Sequence, residues 1–132
     1  MNEEAESILV VDDEQSITDF VSYSLMKEGF KVDVASNGEE GLQAAMHKHY
    51  DLFVLDIMLP GMDGYEATRA IRLSEKVDAA DIPIIALTAN AFAEDAKAAH
   101  DAGMNAHLSK PLDFNKLKNI LARIKKNGSV SL

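Results

Sequence analysis

The sequence predicts an α/β protein built on a doubly wound, five-stranded parallel sheet with strand order 2-1-3-4-5. Two observations lead to this fold class. Five short strand-like segments alternate with five segments whose apolar residues recur at helical spacing, and such alternation gives right-handed crossovers between parallel strands. Most of the strand-like segments are apolar throughout, which is typical of strands that are covered by helices on both faces.

The first strand and helix lie close to the N-terminus. The strand is predicted at Ser7–Val11 and ends in the acidic run DDE. A helix follows, with Ser16 or Asp13 as its N-cap and Gly29 as a left-handed residue at its end. Residues 30–35 alternate between apolar and polar, which indicates a second strand nearer the edge of the sheet. The apolar residues at helical spacing in the first helix are Ile17, Phe20, Val21 and Leu25.

The middle of the chain predicts two helices around a third strand. The second helix begins at Asn37-Gly38, and the apolar strand 52–55 ends in Asp56. The loop after Asp56 is rich in Pro and Gly, and a third helix is predicted at residues 65–73. The inward-facing residues of these two helices are predicted to be Leu42, Ala45, Met46, Ala67, Ala70 and Ile71.

The second half supplies two more strands and two more helices. Residues 74–81 are small and polar, which predicts a surface connection. Pro83 precedes a fourth strand that ends at Thr88, and the missing N–H of a proline is tolerated where a strand begins. The remaining elements are a helix at 92–102 capped by Gly103, a short strand at 106–108, and a helix at 114–126 that presents Leu117, Ile120, Leu121 and Ile124.

Length and composition bound the kind of protein. The chain has 132 residues and no cysteine, which indicates one domain without disulfides or thiol chemistry. We predict a disordered acidic leader at residues 1–6, the folded domain at residues 7–126 and a polar tail at residues 127–132. There is no signal peptide and no apolar stretch of about 20 residues, so we expect a cytoplasmic protein without direct membrane contact.

The charge balance excludes one class of partner. The net charge is −9, from 22 acidic and 13 basic residues. Binding to nucleic acid requires an excess of Lys and Arg that neutralises phosphates. We therefore expect no direct contact with nucleic acid.

Three carboxylates are predicted to gather at the carboxyl edge of the sheet. The ends of strands 1 and 3 meet at the switch point where such sheets bind ligands, and these ends carry Asp12, Asp13 and Asp56. At ~4 Å and an effective dielectric near 20, each pair of carboxylates repels by about 4 kcal/mol. A divalent cation relieves this repulsion, and all-oxygen ligation favours Mg²⁺.

A hydroxyl and an ammonium are predicted at the same edge. Strand 4 ends in Thr88, and Lys110 follows strand 5. Together with the cation and a carboxylate nucleophile, these groups suit the transfer of a phosphoryl group onto Asp56 as an acyl phosphate. No general base is required, because an aspartate with a pKa of about 3.9 is already ionised at neutral pH.

These motifs resemble the receiver domain of two-component response regulators, which has a flavodoxin-like (CheY-like) fold. The resemblance covers about residues 7–126 and rests on ILVVDDE, LFVLDIMLPGMDG, PIIALTA and HLSKP. It implies a phosphoacceptor in two-component or phosphorelay signal transduction that catalyses only its own phosphorylation and slow autodephosphorylation. The implied donor is a phosphohistidine of a histidine kinase or of a histidine phosphotransfer domain.

The resemblance also implies a role for each site residue. Asp56 is the expected phosphoacceptor, while Thr88 and Lys110 are expected to bind phosphoryl oxygens, and the Lys110–Pro111 bond is expected to be cis. The first helix is the expected docking surface for the donor, and the face of the fourth helix, fifth strand and last helix is expected to bind an effector or form a homodimer. The expected ligands of Mg²⁺ are Asp13, Asp56, the backbone carbonyl of Met58 and, through water, Asp12.

Two features depart from the usual pattern of the family. His107 occupies the position at which a Tyr or Phe usually pairs with the hydroxyl of strand 4 as part of the switch. Its imidazole either rotates inward behind Thr88 or stays at the sheet edge without a switching role.

The second departure is that the two halves of the chain resemble different receivers. The first half resembles receivers of DNA-binding regulators, whereas GYEATRAIR and HLSKPLD in the second half resemble receivers of hybrid sensor histidine kinases, which is the kind that we favour.

Two other functions fit part of the pattern. A Mg²⁺-dependent phosphatase of the aspartyl-phosphate type uses similar residues, but it carries a second Asp two positions after the nucleophile, where this chain has Met58. A degenerate receiver would act only as a binding module. All the acidic and phosphate-binding residues of a receiver are present, which argues against the degenerate form.

Overall fold

The structure is a computed structural model that describes residues 6–76, 78–89, 93–110 and 112–127. Five parallel strands form one sheet in the order β2-β1-β3-β4-β5, which confirms the predicted fold class and strand order. The strands are β1 (Ser7–Val11), β2 (Lys31–Ala35), β3 (Leu52–Asp56), β4 (Ile84–Thr88) and β5 (Ala106–Ser109). The helices are α1 (Gln15–Lys27), α2 (Gly38–His47), α3 (Gly64–Arg72), α4 (Ala93–Ala102) and α5 (Phe114–Asn127).

Helices cover both faces of the sheet, so two apolar cores form. Successive strand residues point to opposite faces, and accordingly Leu9 joins one core and Val10 joins the other. The strands β3 and β4 are buried along their whole length, which explains why their sequences do not alternate. The helices contribute Ala45, Ile71 and Ala99 to the first core, and Val21, Leu25, Leu117 and Leu121 to the second.

The start of α1 differs from the predicted capping by Ser16 or Asp13. The N-cap is Glu14, whose side chain makes no capping hydrogen bond. The Asp12 carboxylate accepts a hydrogen bond from the Glu14 N–H at 2.9 Å, and the Glu14 carbonyl accepts from N–H groups of the first helical turn. The prediction was wrong because the chain turns into the helix directly after the acidic run.

The inner face of α2 differs from the prediction at Met46, which is 40 % exposed. A Cβ on Gly41 would lie 2.8 Å from Val11 Cγ2, so α2 packs closely on β1 through a glycine. This close packing directs Met46 away from the core, while Leu42 is half-buried as expected. The buried residues of α2 are Gly38, Gly41 and Ala45.

The helix α3 begins one residue earlier than predicted, at Gly64. A capping box between Asp63 and Glu66 satisfies N–H groups at this end of the helix. The predicted inward residue Ala70 is half-buried. The buried residues of α3 are Gly64, Ala67, Thr68 and Ile71.

The connection between α3 and β4 packs more closely than the predicted surface loop. Ala79 is buried, and its carbonyl accepts a hydrogen bond from Arg72 Nη1 at 3.0 Å. The residues that end α1 and α4, Gly29 and Gly103, have positive φ angles of 97° and 108°, as predicted.

Several predictions fall on residues outside the described ranges. They concern residues 1–5 of the leader, Phe92, the Lys110–Pro111 bond and residues 128–132 of the tail. The side chain of Ile124 also lies outside the description, whereas Leu117, Ile120 and Leu121 are buried as predicted. Among the described residues, no helix has the length and apolar character required to cross a membrane.

Candidate functional site

The structure brings Asp12, Asp13 and Asp56 together at the carboxyl edge of the sheet. Asp56 is the last residue of β3, Asp12 directly follows β1, and these two strands are paired neighbours. One carboxylate oxygen from each aspartate lies within 4.8 Å of the other two. Asp12 and Asp56 are 1 % and 2 % exposed, whereas Asp13 is exposed. The cluster therefore has a buried floor and an open side.

Backbone N–H groups orient the two buried carboxylates. The Glu14 N–H donates to Asp12 Oδ1 at 2.9 Å, and the Met58 N–H donates to Asp56 Oδ1 at 3.0 Å. The Asp12 N–H in turn donates to the Ala35 carbonyl at 3.2 Å, which ties the β1–α1 loop to β2. These bonds hold the Oδ1 atoms of Asp12 and Asp56, and both Oδ2 atoms lie near Lys110.

Lys110 places its ammonium among three carboxylates. The nitrogen Nζ lies 3.1 Å from Asp12 Oδ2, 3.3 Å from Asp56 Oδ2 and 3.0 Å from Glu14 Oε1. The backbone N–H of Lys110 donates to the Thr88 carbonyl at 2.7 Å, which continues the pairing of β4 with β5. The predicted meeting of the lysine with the aspartates is thus present in the structure.

Within this cluster, burial and the neighbouring groups have opposing effects on the pKa values of Asp12 and Lys110. Burial is the largest influence on Asp12 and raises the pKa of its carboxyl, as does the charge of Asp56. The bond from the Glu14 N–H and the contact with Lys110 lower that pKa in part. Burial lowers the pKa of the Lys110 ammonium, but the contacts with Glu14 and Asp12 and the charges of Asp56 and Asp12 outweigh it and raise the pKa.

The cluster fits a hard divalent cation. Within the described part of the chain, the buried Asp12 Oδ2 has no hydrogen-bond partner, and its contact with Lys110 Nζ at 3.1 Å is an ion pair. A buried anionic oxygen that accepts no hydrogen bond can bind a metal ion, or a water molecule that is bound to one. Carboxylate oxygens are the ligands that Mg²⁺ prefers.

Thr88 ends β4 at the same edge, next to β3. Its side chain is fully buried, and its hydroxyl donates to the Leu108 carbonyl at a long distance of 3.5 Å. In the sheet register, Asp56 pairs with Leu87 and Thr88 pairs with Ser109. The threonine therefore lies one step beyond Asp56 along the edge.

His107 and Met58 are both open to solvent. His107 lies in β5, is paired with Ala86 and is exposed, so its imidazole points away from the core in this structure. Met58 is 71 % exposed, and its backbone N–H donates to Asp56 Oδ1. Their sequence-based roles, a switch partner and a metal-binding carbonyl, stay predictions.

Two acidic residues at the site had no predicted role. Glu14 contacts Lys110 as described above, and its place directly after Asp12-Asp13 is the one sequence signal that could have indicated this. Glu39 of α2 accepts a hydrogen bond from the Met62 N–H at 3.3 Å and so holds the β3–α3 loop. No local pattern indicates this second contact, because its partners are 23 residues apart.

Comparisons with known sequences agree on one family. The family model of the response regulator receiver domain matches residues 8–122. Response regulator ArlR of Staphylococcus epidermidis is 39 % identical over 119 residues, which cover 90 % of this chain and 51 % of ArlR. Transcriptional regulatory protein HprR of Escherichia coli is 36 % identical over 118 residues, which cover 89 % of this chain and 49 % of HprR. The chain thus spans about half the length of the curated relatives it matches.

Comparisons with solved structures agree with the sequence matches. The receiver domain of a sensor histidine kinase from Pseudomonas aeruginosa has a TM-score of 0.82 and 37 % identity, over 91 % of this chain and 97 % of that one. Its structure has a magnesium ion coordinated in the active-site cleft. Chemotaxis response regulator CheY4 of Vibrio cholerae has a TM-score of 0.85 and 30 % identity, over 92 % of this chain and 99 % of that one.

Proposed function

This chain belongs to the response regulator receiver family, and we propose that Asp56 is the residue through which it accepts a phosphoryl group. It is a receiver domain of two-component signal transduction. One observation carries the assignment of Asp56. Its buried carboxylate ends β3 with the Lys110 ammonium 3.3 Å away and two further aspartates beside it, which is the arrangement that phosphoryl transfer to a carboxylate requires.

We propose Mg²⁺ as the cofactor of this site. When bound, it supplies positive charge that offsets the charge developing on the transferring phosphoryl group. The magnesium in the receiver from Pseudomonas aeruginosa supports this choice. The residues that would hold it are Asp13, Asp56, the backbone carbonyl of Met58 and, through water, Asp12.

The proposed reaction moves a phosphoryl group from a phosphohistidine to Asp56. An Asp56 carboxylate oxygen attacks phosphorus, the P–N bond breaks, and its electron pair stays on the donor imidazole, which takes up a proton from solvent. Lys110 then binds a phosphoryl oxygen, and the Thr88 hydroxyl turns from the Leu108 carbonyl toward the new charge. Slow attack of water on the acyl phosphate resets the chain, so it is not a multiple-turnover enzyme.

The donor is a histidine kinase or a histidine phosphotransfer domain, and we propose that it docks on α1. This helix exposes three large apolar side chains that recur at every third residue, namely Phe20, Tyr23 and Met26. Apolar side chains exposed in a row are typical of a protein interface. Their position on the helix that follows Asp12 and Asp13 brings a docked donor close to Asp56.

The output surface is proposed to be the face of α4, β5 and α5, where an effector or a second copy would bind. His107 is exposed on β5, so a change at Thr88 would reach this face if the imidazole moved inward. The similarity to the receiver domain of a sensor histidine kinase from Pseudomonas aeruginosa supports the assignment of this chain to the receivers of hybrid sensor histidine kinases. The match to HprR, a transcriptional regulatory protein, supports the other kind, the receivers of DNA-binding regulators.

The phosphatase alternative receives no support from the site. Such an enzyme needs a second acid or base two residues after the nucleophile, and this position holds the thioether of Met58. The degenerate alternative is also disfavoured, because the three aspartates and Lys110 are assembled as a phosphorylation site requires.

Labelling with acetyl phosphate and Mg²⁺ tests the role of Asp56. The parent chain should take up close to one phosphoryl group, and Asp56→Asn should take up at least about a hundredfold less, because an amide oxygen is a poor nucleophile. Asp101→Asn removes an exposed carboxylate of α4 and serves as the matched control, with parental labelling. Equal labelling of Asp56→Asn and the parent would contradict the proposal.

A further inference from the structure

Glu14 is the carboxylate closest to the Lys110 ammonium. Glu14 Oε1 lies 3.0 Å from Lys110 Nζ, compared with 3.1 Å for Asp12 Oδ2 and 3.3 Å for Asp56 Oδ2. Glu14 is also the N-cap of α1, yet its side chain caps no N–H group of that helix. Its carboxylate is turned toward the lysine instead.

The three partners of Lys110 differ in how firmly they are held. The side chains of Asp12 and Asp56 are 0 % and 3 % exposed, and a backbone N–H group orients each of them. The Glu14 side chain is 58 % exposed. An exposed carboxylate that loses its partner regains water, whereas a buried one stays desolvated. Glu14 is therefore the partner that Lys110 gives up most easily.

An ammonium group has three N–H donors, and three carboxylates lie within 3.3 Å of the Lys110 nitrogen. A phosphoryl group on Asp56 adds acceptor oxygens and negative charge next to the same nitrogen. Glu14 Oε1 and Asp56 Oδ2 both lie within 3.3 Å of Lys110 Nζ, so Glu14 and the phosphoryl group compete for one cation. The like charges of Glu14 and of the phosphoryl group also repel each other.

We propose that Glu14 is a positioning residue for phosphoryl transfer, which holds the Lys110 ammonium in the unphosphorylated chain and releases it to the phosphoryl group. This inference rests on the proposed role of Asp56. Glu14 thereby lowers the affinity of the site for a phosphoryl group. Removing its carboxylate leaves Asp12 and Asp56 as the carboxylate contacts of Lys110 and removes the competitor of the phosphoryl group.

Two variants separate the contact from the charge. Glu14→Gln removes the charge at constant size, and Glu14→Asp keeps the charge but withdraws it by one methylene. Asp19→Asn is the matched control, because it removes one exposed carboxylate from the same helix. Thermal unfolding of all three should stay near that of the parent, since both side chains are exposed.

The first measurement is the Kd of beryllofluoride with Mg²⁺, followed by amide NMR. Glu14→Gln should bind beryllofluoride about two- to fivefold more tightly than the parent, which is the range that an ion pair at a protein surface supplies. The affinity of Glu14→Asp should change in the same direction, and that of Asp19→Asn should match the parent. Parental affinity in Glu14→Gln would overturn the proposal. Tight binding by Glu14→Gln with parental binding by Glu14→Asp would also overturn it, because charge alone would then be the cause.

The second measurement needs neither metal nor phosphoryl mimic. The ¹⁵N signal of the Lys110 ammonium in the metal-free chain should shift in Glu14→Gln and stay unchanged in Asp19→Asn. An unchanged signal in Glu14→Gln would show that the two side chains are not in contact and would overturn the proposal. If beryllofluoride fails to bind even to the parent, the proposed role of Asp56 is refuted. The ¹⁵N signal of Lys110 would still show in that case whether Glu14 contacts the ammonium.

Discussion

At the scale of single residues, Asp12 shows most clearly that the site is arranged for binding at the expense of stability. This residue is 1 % exposed, and both burial and the charge of Asp56 raise the pKa of its carboxyl. The ionised form of Asp12 is thus disfavoured in the folded chain, although Lys110 and the Glu14 N–H offset part of this effect. Functional sites commonly keep such unfavourable charges.

We expect Asp12→Asn to stabilise the metal-free chain by about 1 kcal/mol, the size typical of relieving strain in a functional site. The amide keeps an acceptor for the Glu14 N–H and removes a buried charge. The same change should weaken Mg²⁺ binding, because one carboxylate of the cluster is lost. Urea unfolding without metal and a Mg²⁺ titration measure the two effects.

Asp13→Asn is the control for this pair of measurements. Asp13 belongs to the same cluster but is exposed, so its replacement should weaken Mg²⁺ binding without the gain in stability. A free energy of unfolding that falls in Asp12→Asn would show that the ion pair with Lys110 outweighs the desolvation of Asp12.

At the scale of secondary-structure elements, the Arg72 guanidinium joins α3 to the loop between α4 and β5 and to the connection between α3 and β4. Nε and Nη2 donate to the Gly103 carbonyl at 3.0 and 2.7 Å. Nη1 donates to the Ala79 and Ile82 carbonyls at 3.0 and 2.6 Å. Nη2 also donates to Asn105 Oδ1 at 2.8 Å. All five N–H donors of the group are therefore used.

We expect Arg72→Lys to lower the free energy of unfolding by about 3 kcal/mol, because an ammonium cannot reproduce five bonds in a planar fork and leaves buried carbonyls without donors. Arg69→Lys, on the exposed side of the same helix, is the control and should change stability by less than about 0.5 kcal/mol. Urea unfolding measures both. Equal stability of the two variants would refute the structural role of Arg72.

At the scale of the whole molecule, stability should depend on pH through carboxylates that act in opposite directions. Lys48 Nζ and the Tyr50 hydroxyl both donate to Asp33 Oδ2 at 2.7 Å, and these bonds lower the pKa of Asp33 below 3.8. A carboxylate whose pKa is lower in the folded chain than in the unfolded chain stabilises the fold at pH values above its unfolded pKa. This stabilisation is lost as the pH falls through its folded pKa. The raised pKa of Asp12 has the opposite sign, since its protonation favours the folded chain.

We expect Asp33→Asn to lose less than about 1 kcal/mol of stability at pH 7, because the pair of Asp33 and Lys48 is largely exposed. The amide oxygen still accepts from Tyr50, so the change removes mainly the charge. The difference from the parent should shrink as the pH is lowered below 3.8, the ordinary pKa of an aspartate. Urea unfolding at a series of pH values measures it, and a difference that grows in acid would contradict the assigned sign.

The architecture as a whole explains why the functional side chains lie at one edge. Every strand is parallel, so the carboxyl ends of β1, β3, β4 and β5 share that edge. The two cores fill both faces of the sheet with helices. The strand ends are thereby left as the place where polar groups can meet a ligand.

The fold class and the strand order could be predicted from the sequence alone, and the structure confirms both. Hydrophobic periodicity is local, so the elements could be predicted directly and most of their bounds to within one residue, as for α3 at Gly64–Arg72, and those of β1 at Ser7–Val11 without error. The meeting of Asp12, Asp56 and Lys110 followed because parallel strands that end together must place their last residues together. The resemblance of the motifs to receivers then indicated the phosphoryl chemistry, and the sequence comparisons confirmed the family.

Contacts between side chains that are far apart in the sequence could be identified only in the folded structure. Glu14 and Lys110 are 96 residues apart, and Arg72 and Asn105 are 33 apart, so no local pattern indicates either contact. The exposure of Met46 and of Phe20, which is 44 % exposed, likewise could not be predicted from the spacing of apolar residues. Periodicity specifies which residues share a face of a helix, whereas the orientation and depth of that face depend on packing with residues that are distant in sequence.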